Sequence, residues 1–444
     1  MDHVLPLIRR YFPASQTELC VGELKVSELA SHYGTPLFIY DRKVIDKKWT
    51  LLRETLPHRF TIYYSVKANP SQIVLREFLS KGAGLEVASS GEFSQALKAG
   101  CKPENTIFAG PGKTNCELEF VLARGVGEIH VESLGEAKRI STIAGSLGLR
   151  VPVALRVNPS GEAEGGAMRM GGRPAAFGVD EEELVGAVAT LSSLDHLEFR
   201  GIHLFAGTQI LDYRILAAQY RKGIEIARRT ATQLNKNIHT LDFGGGLGIP
   251  YFPHEQELDA RMLRSELDAL CDSLDGDPVF AQTRFLVEPG RYLVGESGLY
   301  VARVVDVKNS RGKEFLILDG GMNHHLAASG NLGQTIKRNY PIAAVDRLSQ
   351  PAELTYEVVG PLCTPLDVLS RSALLPSLEV GDLVAIFQSG AYARSASPLG
   401  FLSHPTPPEV WVDGAHHQLI RRRGEVADYL HDQLIDFESN FSNQ

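Results

Sequence analysis

Between Thr61 and Pro289, short β-rich runs and helix-like segments alternate eight times, and this restricts the fold more than any other property of the chain. The β-like runs lie around Tyr64, Leu85 to Ala88, Ile107 to Ala109, Ile129 to Val131, Val153 to Val157, Ile202 to Phe205, Leu241 to Phe243 and Phe285 to Val287. They are rich in β-branched and aromatic residues, and helical patterns such as Ser71 to Lys81, Gly91 to Ala99, Leu134 to Leu147, Asp180 to Leu191 and Asp212 to Asn235 separate them. The pattern predicts an α/β fold in the form of a (β/α)8 barrel, with a doubly wound open sheet as the competitor. The distribution of unusual residues favours the barrel. Lys67, Glu86, Arg156, Thr208, Gly244 to Gly246 and Glu288 follow different strands, and barrels assemble their sites at strand ends.

At 444 residues the chain exceeds one barrel of about 250 residues. After Glu288 the texture changes to strands and turns, as in Leu299 to Val307, Glu314 to Asp319, Leu354 to Val359 and Leu383 to Gln388, with no long helical pattern until Glu425. The expected division is a barrel over 37–288, a mostly β second domain over 289–444, and an N-terminal segment, 1–36, that joins the β domain with a strand. No apolar run approaches the roughly 18 residues of a membrane span, and Met1 to Pro13 lacks an apolar signal core, so a cytoplasmic protein is expected. Five scattered cysteines predict reduced thiols and neither a disulfide framework nor a structural zinc site. His324-His325 and His416-His417 lack a nearby third ligand, and no metal is expected. A net charge of −8, with Arg421 to Arg423 the one run of three basic residues, argues against nucleic acid as the main partner.

Three stretches carry chemistry. In Tyr63-Tyr-Ser-Val-Lys67-Ala-Asn-Pro70 a strand ends on a lysine; withdrawing its ammonium from water frees an amine able to form a Schiff base, and a lysine reaching solvent is the plain alternative. Asp242-Phe-Gly-Gly-Gly-Leu-Gly248 exposes backbone amides after a strand, as a phosphate cradle or as a tight barrel turn. Glu288-Pro-Gly-Arg291 sets a carboxylate at the last strand's end, where it would keep a pyridine nitrogen protonated or else pair with Arg291.

These stretches, with Gly360-Pro-Leu-Cys363 and Gly390-Ala-Tyr392, have the order and approximate spacing of one family. From about Leu37 to about Phe401 the chain resembles the diaminopimelate/ornithine/arginine decarboxylases, pyridoxal 5'-phosphate enzymes with an alanine-racemase-type barrel (fold type III) followed by a β domain. The resemblance implies that Lys67 holds the cofactor as an internal aldimine and that Gly244, Gly245, Gly246, Gly290, Thr208 and Tyr392 bind its phosphate. Glu288 would meet the ring nitrogen, Arg156 the ring's other polar edge, and Glu86 would stand in the same pocket. Cys363 would reprotonate Cα after carbon dioxide leaves. It would enter from a neighbouring subunit, which implies a head-to-tail homodimer with shared active sites.

Departures from the family pattern point to the substrate. Where the family stacks a histidine on the ring, this chain has Phe205, and His203 shares its strand face as a ring contact or a core histidine. Diamine-forming relatives carry an acid directly after the cysteine. Here Thr364 follows Cys363, which disfavours a distal ammonium, although Asp367 remains nearby as an acidic candidate. Arg291 and Arg338 are candidates for a substrate carboxylate, and the glycine-rich loop Ser160 to Arg173, with Arg169 and Arg173, for a lid.

The expected activity is therefore α-decarboxylation, through an external aldimine and a quinonoid, of an amino acid with a blocked or conjugated far end. Glutamate on an acyl carrier protein and a citryl intermediate of siderophore type are the candidates, by resemblance to enzymes of secondary metabolism. A diamino-acid decarboxylase, a racemase and a non-catalytic pyridoxal-phosphate protein are the alternatives. A racemase of this fold would have an arginine where Glu288 stands.

Overall fold

The structure is a computed structural model, and it describes residues 4–160, 168–169, 174–205, 207–332, 334 and 337–434. Two units emerge: Val44–Glu296, and a second made of the chain up to Lys43 together with the chain from Ser297 onward.

The first unit is the barrel. Its strands are β1 (Phe60–Ser65), β2 (Gly84–Val87), β3 (Thr106–Phe108), β4 (Glu128–Val131), β5 (Val151–Asn158), β6 (Leu197–Leu204), β7 (Thr240–Asp242) and β8 (Arg284–Val287). All pair in parallel in chain order, and β8 returns to β1 through Phe285 opposite Phe60, closing the ring. Helices Gln72–Ser80, Ser90–Ala99, Asn115–Leu122, Leu134–Ser146, Leu184–Ser192, Tyr213–Leu234 and Ala260–Asp272 connect successive strands. Their starts are set locally, because the side chains of Ser89, Thr114, Ser133, Asp212 and Asp259 accept amide hydrogens that a first helical turn leaves unpaired. Helix and barrel interlock through aromatic rings: Tyr220 lies 4.6 Å from Phe243, and Phe243 lies 5.8 Å from Phe60 and 5.5 Å from Phe285.

The second unit is a β assembly whose strands run in the order Val368–Leu375, Leu354–Val359, Lys313–Leu318, Gly298–Ser310, Leu37–Asp41, Glu409–Asp413, His416–Arg421. Leu383–Ile386 also pairs with Gly298–Ser310, and Ile342–Ala344 with Leu383–Ile386. Leu37–Asp41, read from the sequence as the barrel's start, instead lies between Gly298–Ser310 and Glu409–Asp413. Its five residues are all buried, a run that suits either sheet equally well. Within the described residues, the helical pattern expected from Glu425 shows one 3-10 turn, Val426–Tyr429. No helix among the described residues is long and apolar enough to cross a membrane.

Candidate active site

The barrel brings most of the expected residues to one set of strand ends. β1 stops at Ser65, and Lys67 sits on the 3-10 turn Val66–Ala68 that follows. The lysine side chain keeps 45% of its exposure, and its Nζ lies 3.0 and 3.2 Å from the two carboxylate oxygens of Glu86 on β2. The turn carries Lys67 past the strand end, so its amine stands against the Glu86 carboxylate rather than deep in the barrel. Glu86 is buried and also accepts the Ser65 hydroxyl, so it orients Lys67. Glu92, in the first turn of the helix that follows β2, escaped the sequence reading. Burial chiefly, with the charge of Glu86 adding to it, pushes its carboxyl up to about 7, against the amide of Ala88 and the Lys67 ammonium. A Ser-x-x-Glu pattern reads as an ordinary helix start, which hid it.

On the far strands, Arg156 Nη1 donates to Glu132 Oε1 at 2.8 Å, and Glu132 also accepts the amides of Gly110 and Gly178. The guanidinium carbon of Arg156 lies 4.8 Å from the Phe177 ring centroid and 5.8 Å from that of Phe205. Phe205 follows β6 and packs on the glycine turn, since a Cβ on Gly244 would stand 2.8 Å from its ring.

Gly244 and Gly246 adopt φ of 65° and 98°, and a Cβ on Gly245 would come within 2.6 Å of the Glu288 carbonyl oxygen. The Gly244 amide donates to Asp242 Oδ1 at 2.7 Å. The amide that the expected phosphate cradle would draw on at Gly244 is thus already engaged within the turn. At Gly290 a Cβ would sit 2.9 Å from that of Ala68, so the Lys67 turn and the segment that follows Glu288 approach each other closely. Thr208 lies on the short strand Gly207–Thr208 after β6, half-buried. Arg291 Nη1 donates to the Tyr251 hydroxyl at 2.9 Å.

Glu288, just past β8, is buried beside two imidazoles. Its Oε2 lies 3.6 Å from His203 Nε2 on β6, and its Oε1 3.7 Å from His130 Nδ1 on β4. His130 Nε2 stands 3.3 Å from Glu128 Oε1 and 3.9 Å from Asp242 Oδ2. Burial, joined by the charge of Glu288, drives the Asp242 carboxyl far above the carboxylate range, so Asp242 holds a proton. Burial opposes ionisation of Glu288 too, but His203, His130 and Lys67 outweigh it and hold its carboxyl below the ordinary range. Burial lowers His203 to about 4, with Glu288 pulling the other way, so its imidazole is neutral at neutral pH. The sequence reading missed His130 and Asp242 as site members. Strand alternation marks which side chains point inward and says nothing of what they meet there.

The second unit holds the rest. Cys363 is exposed and Thr364 half-buried. Asp367 is buried, and its carboxylate accepts the amides of Met322 at 2.7 Å and Leu362 at 2.9 Å. As a substrate contact it is therefore corrected to a brace for the loop that carries Cys363. Tyr392 is half-buried at φ 55°, and Arg338 is exposed. Of the lid loop, residues 161–167 and 170–173 lie outside the described residues, and so does the side chain of Arg169.

The barrel residues fit pyridoxal phosphate. A turn whose glycines leave no room for Cβ atoms suits a phosphate, and Lys67 supplies an amine over the strand ends. The buried Glu288 has an Oε1 without a hydrogen-bond partner among the described residues, as a ring-nitrogen contact requires. The comparisons agree. Residues 42–295 match the family described as pyridoxal-dependent decarboxylase, pyridoxal binding domain. An L-glutamyl-[BtrI acyl-carrier protein] decarboxylase of Niallia circulans is 36% identical over 95% of this chain and 98% of its own length. A diaminopimelate decarboxylase of Zymomonas mobilis is 31% identical over 95% and 98%. The crystal structure of Helicobacter pylori diaminopimelate decarboxylase complexed with L-lysine superposes with a TM-score of 0.81, at 29% identity, over 91% of this chain and 98% of that one. With the closed barrel, the β unit, the lysine and the glycine turn in place, the chain belongs to the pyridoxal-phosphate-dependent decarboxylases of fold type III.

Proposed function

We propose that this decarboxylase acts on an amino acid whose far end is blocked, with glutamate carried as a thioester on an acyl carrier protein as the first candidate. The observation that carries the reading is the loop after Cys363. Thr364 offers no charge to a distal ammonium, and the acid three residues on, Asp367, is buried against the amides of Met322 and Leu362. A substrate with a free distal ammonium would meet no compensating carboxylate in this segment, and leaving such a charge unpaired in a partly dry site is unfavourable by several kcal/mol, roughly. The 36% identity to the glutamyl-carrier-protein enzyme supports the same choice.

When bound, pyridoxal phosphate supplies an electron sink for the pair left at Cα. The chain's own residues do the rest. Lys67 Nζ anchors the cofactor and, when not so engaged, is held by Glu86. Gly245, Gly246 and Gly290 present the backbone that surrounds the phosphate. Glu288 keeps a proton on the ring nitrogen through its low-lying carboxyl. Phe205 offers a ring face and no proton, so it orients without acting as an acid. Cys363 Sγ is the proposed proton donor to Cα. It would be supplied by a second copy in a head-to-tail homodimer, working in the reducing cytoplasm that its free thiol fits.

The test is carbon dioxide release by holoenzyme given glutamyl-carrier protein, a citryl-amino acid, free glutamate or diaminopimelate. A kcat/KM for a blocked substrate at least about tenfold above that for diaminopimelate is expected. Preference for the free diamino acid would refute the assignment.

A further inference from the structure

We infer that His130 and His203 are positioning residues for the decarboxylation site: one imidazole against each oxygen of Glu288 fixes the carboxylate that meets the cofactor's ring nitrogen. The inference rests on the reading of Glu288 as that partner and goes beyond it, to what holds Glu288 in place.

Barrel bores are ordinarily filled by branched apolar side chains. Here β4, β6, β7 and the end of β8 direct Glu128, His130, His203, Asp242 and Glu288 toward one another, all buried. The imidazole rings of His130 and His203 lie 4.4 Å apart at a 35° tilt, and their nitrogens approach opposite oxygens of Glu288 at 3.7 and 3.6 Å. Among the described residues neither ring has a hydrogen-bond partner at either nitrogen, and neither does Glu288 Oε1. Three neighbours left so in a dry bore are unfavourable for folding alone, and their arrangement makes sense around a charge that has to stay on Glu288. The neutral His203 imidazole favours that charge without neutralising it, His130 Nδ1 stands at the other oxygen, and the surrounding groups are consistent with it. Asp242 is the carboxyl that keeps its proton, Glu128 faces His130 from the other side, and the charges of Lys67 and Arg156 also act on the pair. The same three side chains place ligand atoms within 4.8 Å of one another, close enough to share a divalent cation. Glu288 cannot serve a cation and a ring nitrogen together, and the glycine turn and Lys67 favour the ring.

The experiment uses full-length holoenzyme carrying His130→Asn and His203→Gln, whose amides replace the nitrogens facing Glu288, and His130→Leu and His203→Leu, which remove them. The pH titration of the cofactor's visible absorption band and the affinity of the apoprotein for pyridoxal phosphate are measured. Each leucine variant is expected to move the spectral midpoint about one pH unit lower and to weaken cofactor binding about tenfold, while the amide variants stay within about twofold of the parent. Leucine variants with the parent's spectrum and affinity overturn the inference. So does stoichiometric zinc on the parent apoprotein that His203→Leu loses while its cofactor spectrum is unchanged. Should the leucine variants not fold, the imidazole nitrogen-15 signals of the parent decide: both shift when pyridoxal phosphate is added, and a signal that stays put at either residue overturns the inference. A Glu288→Gln protein with the parent's spectrum would remove the reading of Glu288 itself, which separates that failure from failure of the histidine pair.

Discussion

At the scale of single residues, a missing Cβ and one carboxyl proton govern the site. Alanine at Gly245 would drive its Cβ to 2.6 Å from the Glu288 carbonyl oxygen, a backbone atom with little freedom to retreat. Gly245→Ala is therefore expected to lower stability by about 1–3 kcal/mol and to loosen the cofactor, read from the urea midpoint and from pyridoxal-phosphate titration of the apoprotein. Glu92 carries a pH prediction. Its folded carboxyl is raised to about 7 from an ordinary 4.5, so the folded chain holds the extra proton between those values. That contribution to stability is full below pH 4.5 and is lost as pH rises through 7. Glu92→Gln fixes the neutral form and should gain on the parent between pH 5 and pH 8 in paired urea melts; a constant difference would contradict the shift. Lys67 and Glu288 were legible because each closes a β-rich run next to a residue that stops it. Asp367 was misread, because nothing in a sequence tells an acid waiting for a substrate from one already holding the amides of Met322 and Leu362.

At the scale of elements, parallel strands buried on both faces were visible as apolar runs, and their alternation with helices implied the barrel's order. What stayed hidden was which sheet a run joins: Leu37–Asp41 is as apolar as β1 and pairs in the other unit. Hydrogen-bond partners on both edges settle that, and they lie hundreds of residues away in sequence. Gly201 shows how tightly one such edge is specified. It lies where the β5–β6 register shifts, and a Cβ there would fall 1.7 Å from the Thr240 carbonyl oxygen on β7. Gly201→Ala is expected to part β6 from β7 and to lower stability by about 3 kcal/mol or more, with loss of bound cofactor. Chemical denaturation of the apoprotein tests this, and a variant within about 0.5 kcal/mol of the parent would show that the edge yields.

At the scale of the whole molecule, composition disclosed a chain able to bury large cores, and it concealed that both units bury imidazoles. In the β unit His324 lies beside the Tyr300 hydroxyl at 3.2 Å, while His325 Nε2 stands 2.9 Å from Ser389 Oγ and its Nδ1 accepts the Ala328 amide. Burial lowers both to about 3, and for His324 the charges of His404, Arg423 and Arg394 add to it. In the barrel His203 falls to about 4 for the same first reason. All three act in one direction. The unfolded chain takes up protons below about 6.5 and the folded chain does not, so their contribution is complete above pH 6.5 and drains away as pH falls toward 4 and 3. Each group accounts for on the order of 3 kcal/mol between pH 6.5 and 4, a large share of an ordinary domain's stability. The β unit carries two of the three and should melt first on acidification, which proteolysis at pH 4.5 would detect as early cleavage between Ser297 and Leu434. His325→Gln keeps a donor toward Ser389 and removes the titration. It should be the less stable protein at pH 7 by about 1–2 kcal/mol and close that gap below pH 5. Thermal midpoints taken from pH 8 to pH 4 test the sign directly, because a gap that widens on acidification would mean that His325 gains its proton without leaving the fold.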